Sequence, residues 1–307
     1  MNVNQLDMQM LKIISDLNGI PDGAVNVRLN GQAAVRNSTP NIKITPKTDK
    51  PGINVEIKPG TRHETVHVPV VLTQAGFTDK VYNTFIVGED ADAVIIAGCG
   101  IHNASHSDSQ HDGIHEIIVK KGARLLYTEK HYGQGEGSGK RILNPTTVVT
   151  VEDGAYAEME LVQIKGVDDT IRTTEAYVHK KGNLRIVEKL LTQGKQNAVS
   201  NIKIFIEGEQ GTAQVLSRSV AQGHSQQAFH ASVTGKTECF GHVECDAIIM
   251  DHAVIRSIPE LHAENADAVL THEAAIGKIA GEQLIKLMSL GLTEEEAVNT
   301  ILDGFLR

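Results

Sequence analysis

Asp153-Gly154-Ala155-Tyr156-Ala157-Glu158-Met159 is a small unit: a charged turn with glycine, an alanine, then residues that alternate in polarity. The unit recurs as Glu89-Asp90-Ala91-Asp92-Ala93-Val94-Ile95, Lys121-Gly122-Ala123-Arg124-Leu125-Leu126, Lys181-Gly182-Asn183-Leu184-Arg185-Ile186 and Gln210-Gly211-Thr212-Ala213-Gln214-Val215. Counted on equivalent residues, Ala91 to Ala123 and Gly122 to Gly154 span 32 residues, Gly154 to Gly182 spans 28 and Gly182 to Gly211 spans 29. Alternation marks strands, and a fixed period of about 30 residues marks a stack of like units. No intervening segment is long enough for a helical crossover, so the fitting architecture is a β-helix, or β-solenoid, whose coils bury their inward faces on one another. An antiparallel sandwich with look-alike turns is the competing arrangement. Composition favours the solenoid: aromatics make up 4% of the 307 residues, with no Trp beside 28 Gly. Stacked coils are filled by layers of small aliphatics rather than large rings.

The flanks read differently. Leu6, Met10, Ile13, Ile14 and Leu17 form one apolar stripe at helical spacing, which Asn18-Gly19-Ile20-Pro21 stops. From about Val25, alternating runs such as Ile53-Asn54-Val55-Glu56-Ile57 end in turn clusters such as Lys58-Pro59-Gly60. After Asp267, Ala274, Ile276, Ile279, Ala280, Leu284, Leu287 and Met288 hold helical spacing, and Gly291 stands where a left-handed C-terminal glycine belongs. Thr293 with Glu296 makes a capping box for a last helix carrying Ala297, Val298, Ile301, Leu302 and Phe305. The predicted organisation is a helical segment over 1–24, a β-helix core over 25–266 and a helical region over 267–307 ending in a hairpin.

Charge and cysteine usage narrow the function classes. With 38 acidic against 29 basic side chains, the chain offers no electrostatic footprint for nucleic acid. Its apolar runs, of which Ala93-Val94-Ile95-Ile96-Ala97 is typical, are far shorter than a membrane helix needs, and the N-terminus has no signal-peptide character. Three widely spaced cysteines, Cys99, Cys239 and Cys245, argue against a disulfide framework and for a reducing cytoplasm.

Familiar catalytic motifs are missing. Gly133-Gln134-Gly135-Glu136-Gly137-Ser138-Gly139-Lys140-Arg141 resembles a phosphate loop, but Gln134 replaces its first glycine and Arg141 the magnesium-binding hydroxyl, so a flexible loop is expected. Nucleophile elbows, paired zinc-binding histidines on a helix and C-x-x-C pairs are absent. What stands out is Cys99 followed by His102, His106, His111 and His115, ligand types suited to zinc, copper or iron–sulfur centres. A solvated polar loop is the bland reading, and a thiol beside Gly100 that a partner can reach is another. The second group runs from Cys239 through His242, Glu244, Cys245, Asp246, His252, His262 and Glu264 to His272 and Glu273. Helix capping alone accounts for Glu273 if a helix starts there. Together, Cys, His and Glu form a mixed ligand set for iron.

The chain resembles the SufB/SufD family of iron–sulfur cluster assembly scaffolds. The matching residues are Gly98-Cys99, Ser109-Gln110-His111 leading into Glu116-Ile117-Ile118-Val119, Gly223-His224-Ser225-Gln226, and Glu244-Cys245-Asp246. They continue through Leu270-Thr271-His272-Glu273-Ala274-Ala275-Ile276-Gly277-Lys278-Ile279, Glu282-Gln283-Leu284, and Leu290-Gly291-Leu292-Thr293-Glu294-Glu295-Glu296-Ala297 with Ile301-Leu302-Asp303-Gly304-Phe305. The resemblance covers Phe85 to Arg307 and is weak before that. It implies a right-handed parallel β-helix, dimerisation through the core, and a C-terminal region that docks a SufC-type ATPase, here through Leu284, Leu287, Leu292, Ile301 and Phe305. Cys99 matches a cysteine associated with receiving sulfur, and Cys245 the one associated with the nascent, transient cluster. Glu273 and His272 match a carboxylate and a histidine near that cysteine. The chain lacks the long, cysteine-bearing N-terminal extension of a typical bacterial SufB and is similar to the compact form. Keeping Cys245 and Glu273, it leans towards SufB, working as a homodimer or with a SufD-like paralogue.

A non-enzymatic scaffold is therefore expected, with ATP used by the partner. Two other readings compete: a cluster-free, SufD-like structural subunit, and a metal-dependent β-helix enzyme built on His102, His106, His111 and His115. Sugar-binding grooves usually offer aromatic faces, which 6 Phe and 5 Tyr supply poorly. Cys239 is expected to be a packed thiol.

Overall fold

The computed structural model describes residues 3–306. It is 59% strand, a β-solenoid of about 8 turns with three helices. One sheet follows the order β2 (Gln32–Asn37), β1 (Ala24–Leu29), β5 (Arg62–Leu72), β7 (Asp92–His102), β9 (Arg124–Gln134), β12 (Tyr156–Lys165), β14 (Asn183–Thr192), β16 (Gly211–Ala221), β18 (Cys239–Ile249), β20 (Ala268–Gly277). The facing sheet runs β19 (Val254–Ala263), β17 (Gln226–Gly235), β15 (Asn197–Ile206), β13 (Asp169–Val178), β10 (Arg141–Leu143), β8 (Ser109–Val119), β6 (Thr78–Val87), β4 (Gly52–Ile57), β3 (Ile42–Pro46). β11 (Thr146–Val151) continues β10 between β8 and β13. The hairpins β1–β2 and β3–β4 are antiparallel, while the coil-to-coil pairings are parallel.

Parallel stacking in register makes columns of like-facing residues. Ala93, Leu125, Ala157, Leu184, Ala213, Gly241 and Leu270 stand side by side along the interior, large against small, which fills the narrow space between sheets without aromatic rings. The repeated turn has a common backbone cause. Asp90, Gly122, Gly154, Lys181 and Gln210 all have positive φ, between 54° and 68°. The equivalent of Gly154 is thus Lys181, not Gly182, and Tyr156 pairs with Asn183, giving that coil 27 residues rather than the 28 counted from the glycines.

The N-terminal helix α1 (Gln5–Ser15) is closed by an Asn4–Asp7 capping box and ends when Asp16 turns left-handed, short of the Asn18-Gly19 stop read from sequence. It buries Met10, Leu11 and Ile14 on the outer face of β7. Gly98 and Gly100 are its seat: a Cβ at Gly98 would stand 2.3 Å from the Ile14 carbonyl oxygen, and one at Gly100 2.6 Å from Met10 Cε. The glycine-rich stretch after β9 is bonded to the coil before it. Gly137 and Gly139 donate to the carbonyls of Asn103 and Ser105 in the coil before, so close that a Cβ on either would meet those turns at 2.1–2.2 Å.

The helical spacing read from Ala274 onwards is overridden by pairing. Residues 268–277 form β20, because Ala268, Leu270, His272, Ala274 and Ile276 also satisfy a period of two and the free edge of β18 supplies backbone partners. His272 and Glu273 therefore lie in a strand, not at a helix start. Helices begin at α2 (Gly281–Ser289), followed by Gly291 at φ 98° and by α3 (Glu294–Phe305) with the expected Thr293–Glu296 capping box. Among the described residues no helix is long and apolar enough to cross a membrane.

Replacing Gly98 with Ala should unseat α1 and destabilise the chain by about 1–3 kcal/mol, read as a lower urea midpoint. Gly19→Ala, with nothing within 4 Å of its Cβ, should shift stability by no more than about 0.5 kcal/mol.

Candidate functional site

Two adjacent inward columns carry polar chemistry through the solenoid. One reads Ala97, Glu129, Leu161, Glu188, Ser217, Cys245, Ala274; its neighbour reads Cys99, His131, Gln163, Leu190, Ser219, Ala247, Ile276. The facing sheet adds His111, His115 and Arg172, all buried. None of Glu129, His131, Arg172 and Glu188 was picked out by sequence motif. Their signal is parity: Leu125, Tyr127, Glu129 and His131 share one alternating row of β9 and the same inward face, as do Arg172, Ala176 and Val178 in β13.

The buried groups crowd together, and Glu129 Oε1, His131 Nε2 and Arg172 Nη1 are left without a well-formed hydrogen bond. His131 Nε2 lies 2.6 Å from Glu129 Oε1, and its Nδ1 is 3.3 Å from Arg172 Nη2. Tyr127 donates to Glu129 at 3.0 Å. Arg172 stands between two carboxylates, 3.6 Å from Glu129 and 3.9 Å from Glu188. Glu188 accepts from Ser200 at 2.6 Å and Ser217 at 3.4 Å, and Ser217 is the column neighbour of Cys245. Burial works to raise the Glu129 pKa, but Arg172 and His131 hold it well below the usual carboxylate range. For Glu188 burial prevails over Arg172 and the two serines, and its pKa rises.

Cys99 is 6% exposed, packed among Val70, Leu72, Ile101 and Leu143. Sequence suggested a thiol opened to partners by Gly100; instead both neighbouring glycines lie under α1 and the thiol points inward. Burial, with the charges of Glu129 and Asp79, pushes its pKa up strongly. Cys245 is 2% exposed, its pKa raised chiefly by burial, with nearby Ser257 on the facing strand acting the other way. Cys239 is likewise a packed inward thiol whose pKa burial raises.

The final coil brings part of the second constellation together. Ala274 lies over Cys245 and His272 over Val243 in the inward rows, whereas Glu273 lies over Glu244 in the outward row. In one chain Cys245 and Glu273 thus face opposite sides of the sheet, and both His272 and Glu273 are exposed at the open end. Among the described residues no three His, Cys, Asp or Glu side chains converge as a metal site. The histidine group after Cys99 separates: His106 is exposed and bonds Ser138 at 2.7 Å, while His111 and His115 point into the solenoid. On α2, α3 and the turn between them, Leu284, Leu287, Leu292, Ile301 and Phe305 are half-buried; the large apolar residues left exposed are Ile285 (68%), Met288 (43%) and Leu290 (73%).

Residues 71–305 match the SUF system FeS cluster assembly SufBD core domain, and the chain belongs to the SufB/SufD family. It is 30% identical over 260 residues to an iron-sulfur cluster assembly SufBD family protein of Methanothermobacter thermautotrophicus, covering 83% of this chain and 62% of that one. Similar proteins of the same description occur in Archaeoglobus fulgidus, 31% identical over 74% of this chain and 60% of the relative, and in Pyrococcus horikoshii, 26% identical over 88% and 82%. The chain thus spans about three-fifths of the first two relatives, 62% and 60% of their lengths.

The buried imidazoles set an acid limit. His115 is pulled from 6.5 to about 4 by burial, only partly offset by Glu129, and the His131 pKa is also lowered. The unfolded chain then binds more protons below pH 6.5, so stability is complete above that value and falls towards pH 4. From pH 7 to pH 5 His115 alone should remove about 2 kcal/mol. Urea melts at the two pH values should show this loss, and His115→Gln should reduce it.

Proposed function

We propose that the chain is a non-enzymatic scaffold on which an iron–sulfur cluster is built as cargo. Cys99 takes sulfane sulfur from a persulfide donor, which leaves as a thiol. Two equivalents of a small thiol release it as hydrogen sulfide and leave as a disulfide, and the sulfide moves through the solenoid interior to iron at Cys245, with Glu273 and His272 supplying displaceable ligands. The observation that carries this reading is the polar tract between the two thiols, through Glu129, His131, Arg172, Glu188 and Ser217. A core serving packing alone would be apolar there, since paired buried charges seldom stabilise more than well-packed hydrophobic residues.

A second chain completes the cluster site, either an identical copy or a SufD-like paralogue. Support comes from the open end, where β19 and β20 present unpaired ten-residue edges with Val254, Ile258, Val269 and Ile276 about half exposed. Because Cys245 faces inward and Glu273 outward, a cluster using both ligand types forms where a partner edge closes over the last coil. Thiolate holds iron firmly, while carboxylate and imidazole exchange more readily, which suits a cluster that is handed on. A SufC-type ATPase docks on the C-terminal helices at the free face of Ile285, Met288 and Leu290, beside the half-buried Leu284 and Leu287. Its ATP-driven dimerisation pulls on two hairpins and opens the interface. The compartment is the cytoplasm.

Anaerobic reconstitution of the full chain with iron and sulfide tests the ligand assignment. Cys245→Ser should lose the visible absorption of the cluster and Glu273→Gln should weaken it. Equal cluster content in Cys245→Ser and the parent would reject Cys245 as ligand.

A further inference from the structure

His111 and His115 belong to no part of the tract just described. They flank Gly113 on the inward row of β8, and a Cβ built on Gly113 would stand 2.7 Å from His115 Nε2 and 3.5 Å from His111 Nε2. Both ring nitrogens therefore reach the space that a side chain at 113 would take. His111 is 2% exposed, and its Nε2 is buried with no protein partner.

Neither His111 nitrogen makes a well-formed hydrogen bond, and the groups nearest the far side of each ring give the two Nε2 atoms opposite roles. His111 Nδ1 faces Asp79 Oδ2 at 3.3 Å, and Asp79 is gripped by Arg28 through two bonds of 2.7 and 2.8 Å. Burial acts to raise the Asp79 pKa, but Arg28 and His111 hold it below the usual carboxylate range. A carboxylate at Nδ1 places the ring hydrogen there and leaves His111 Nε2 as an acceptor. His115 is oriented by Asn83, whose Oδ1 accepts from the Ile53 N–H at 3.1 Å and whose Nδ2 therefore points at His115 Nδ1, 3.4 Å away. That nitrogen accepts, so His115 Nε2 carries the hydrogen.

One acceptor and one donor, inside an enclosure whose charges are matched as Arg28–Asp79 and Arg172–Glu129, suit a small uncharged group with one hydrogen to give and one lone pair to share. Phe85 packs on His115 at 5.8 Å between ring centroids, and on Tyr127 at 6.3 Å, so the walls favour a polarisable atom over a strongly hydrated one. Cys99 packs against Leu143, the strand neighbour of His111, and feels the charge of Asp79.

We propose that His111 and His115 form a binding site for a sulfhydryl sulfur, its S–H donating to His111 Nε2 and its lone pair accepting from His115 Nε2–H. The choice of ligand class rests on Cys99 being the sulfur acceptor. The sulfur is supplied either as free hydrogen sulfide or as the terminal atom of a persulfide on Cys99.

The probe is the side-chain ¹⁵N resonances of His111 and His115 in the full chain under anaerobic conditions. In one arm Cys99→Ala receives sodium hydrosulfide; in the other the native chain receives inorganic polysulfide, is desalted, and is checked by mass spectrometry for one added sulfur on Cys99. Movement of both histidines in the first arm identifies free sulfide as a ligand, and in the second the cysteine-borne sulfur. Gly113→Ala, which fills the space, should abolish the movement without preventing persulfide formation; if that variant does not fold, His111→Phe takes its place. Sulfur on Cys99 with both histidines unmoved in both arms overturns the inference and leaves the scaffold reading intact. No sulfur on Cys99, with movement in the hydrosulfide arm, does the reverse. Equal movement in the folded blocking variant also overturns the inference.

Discussion

Parallel coils stacked in strict register are the constraint on which the rest of this molecule depends. A slip of one residue would turn every inward side chain out, so each inward residue must suit the residues directly before and after it in its column. The strands keep this register, apart from bulges between Arg62 and Glu64 in β5 and between Gln163 and Lys165 in β12, while coil length varies between 27 and 32 residues. The difference is taken up at the corners: the two 32-residue spacings contain the 103–108 and 135–140 turns, which stack on each other through the backbone. Length variation thus leaves the interior undisturbed.

Against that apolar regularity, the column holding Glu129 and Glu188 is anomalous, because Leu161 between them shows that aliphatic side chains fit the same row. Buried ions are costly to desolvate, and removing one member of such a pair leaves an uncompensated charge, typically a loss of 3–5 kcal/mol. Their arrangement makes sense as chemistry tolerated by a scaffold whose remaining columns supply the stability. The same enclosure that raises the Cys99 and Cys245 pKa values keeps both thiols protonated and slow to oxidise.

The repeat was legible because its cause is local: a left-handed turn residue followed by alternation leaves a trace in a few consecutive residues. Cysteine positions and the last capping box were legible for the same reason. What sequence could not give was anything set by a distant partner. Gly100 reads as an access point because the helix seated on it lies more than eighty residues upstream. Residues 268–277 fit both periods, and only the waiting edge of β18 decides for strand. The opposite facing of Cys245 and Glu273 follows from pairing register, which no spacing along the chain specifies. The histidines after Cys99 look alike in sequence, yet strand parity sends His111 and His115 inward while His106 remains on a solvent-facing corner.

The two ends of the solenoid are unlike. At the first, short hairpins of five- and six-residue strands blunt the sheets, one of them ending on Pro46; at the last, two ten-residue edges stand open. A rod with two open ends would polymerise without limit, each added unit offering a fresh template. With one blunted end, edge pairing between like chains consumes both open ends at once and terminates. If like chains pair through these edges, the pairing stops at two chains, since the blunted end offers no ten-residue template for a third.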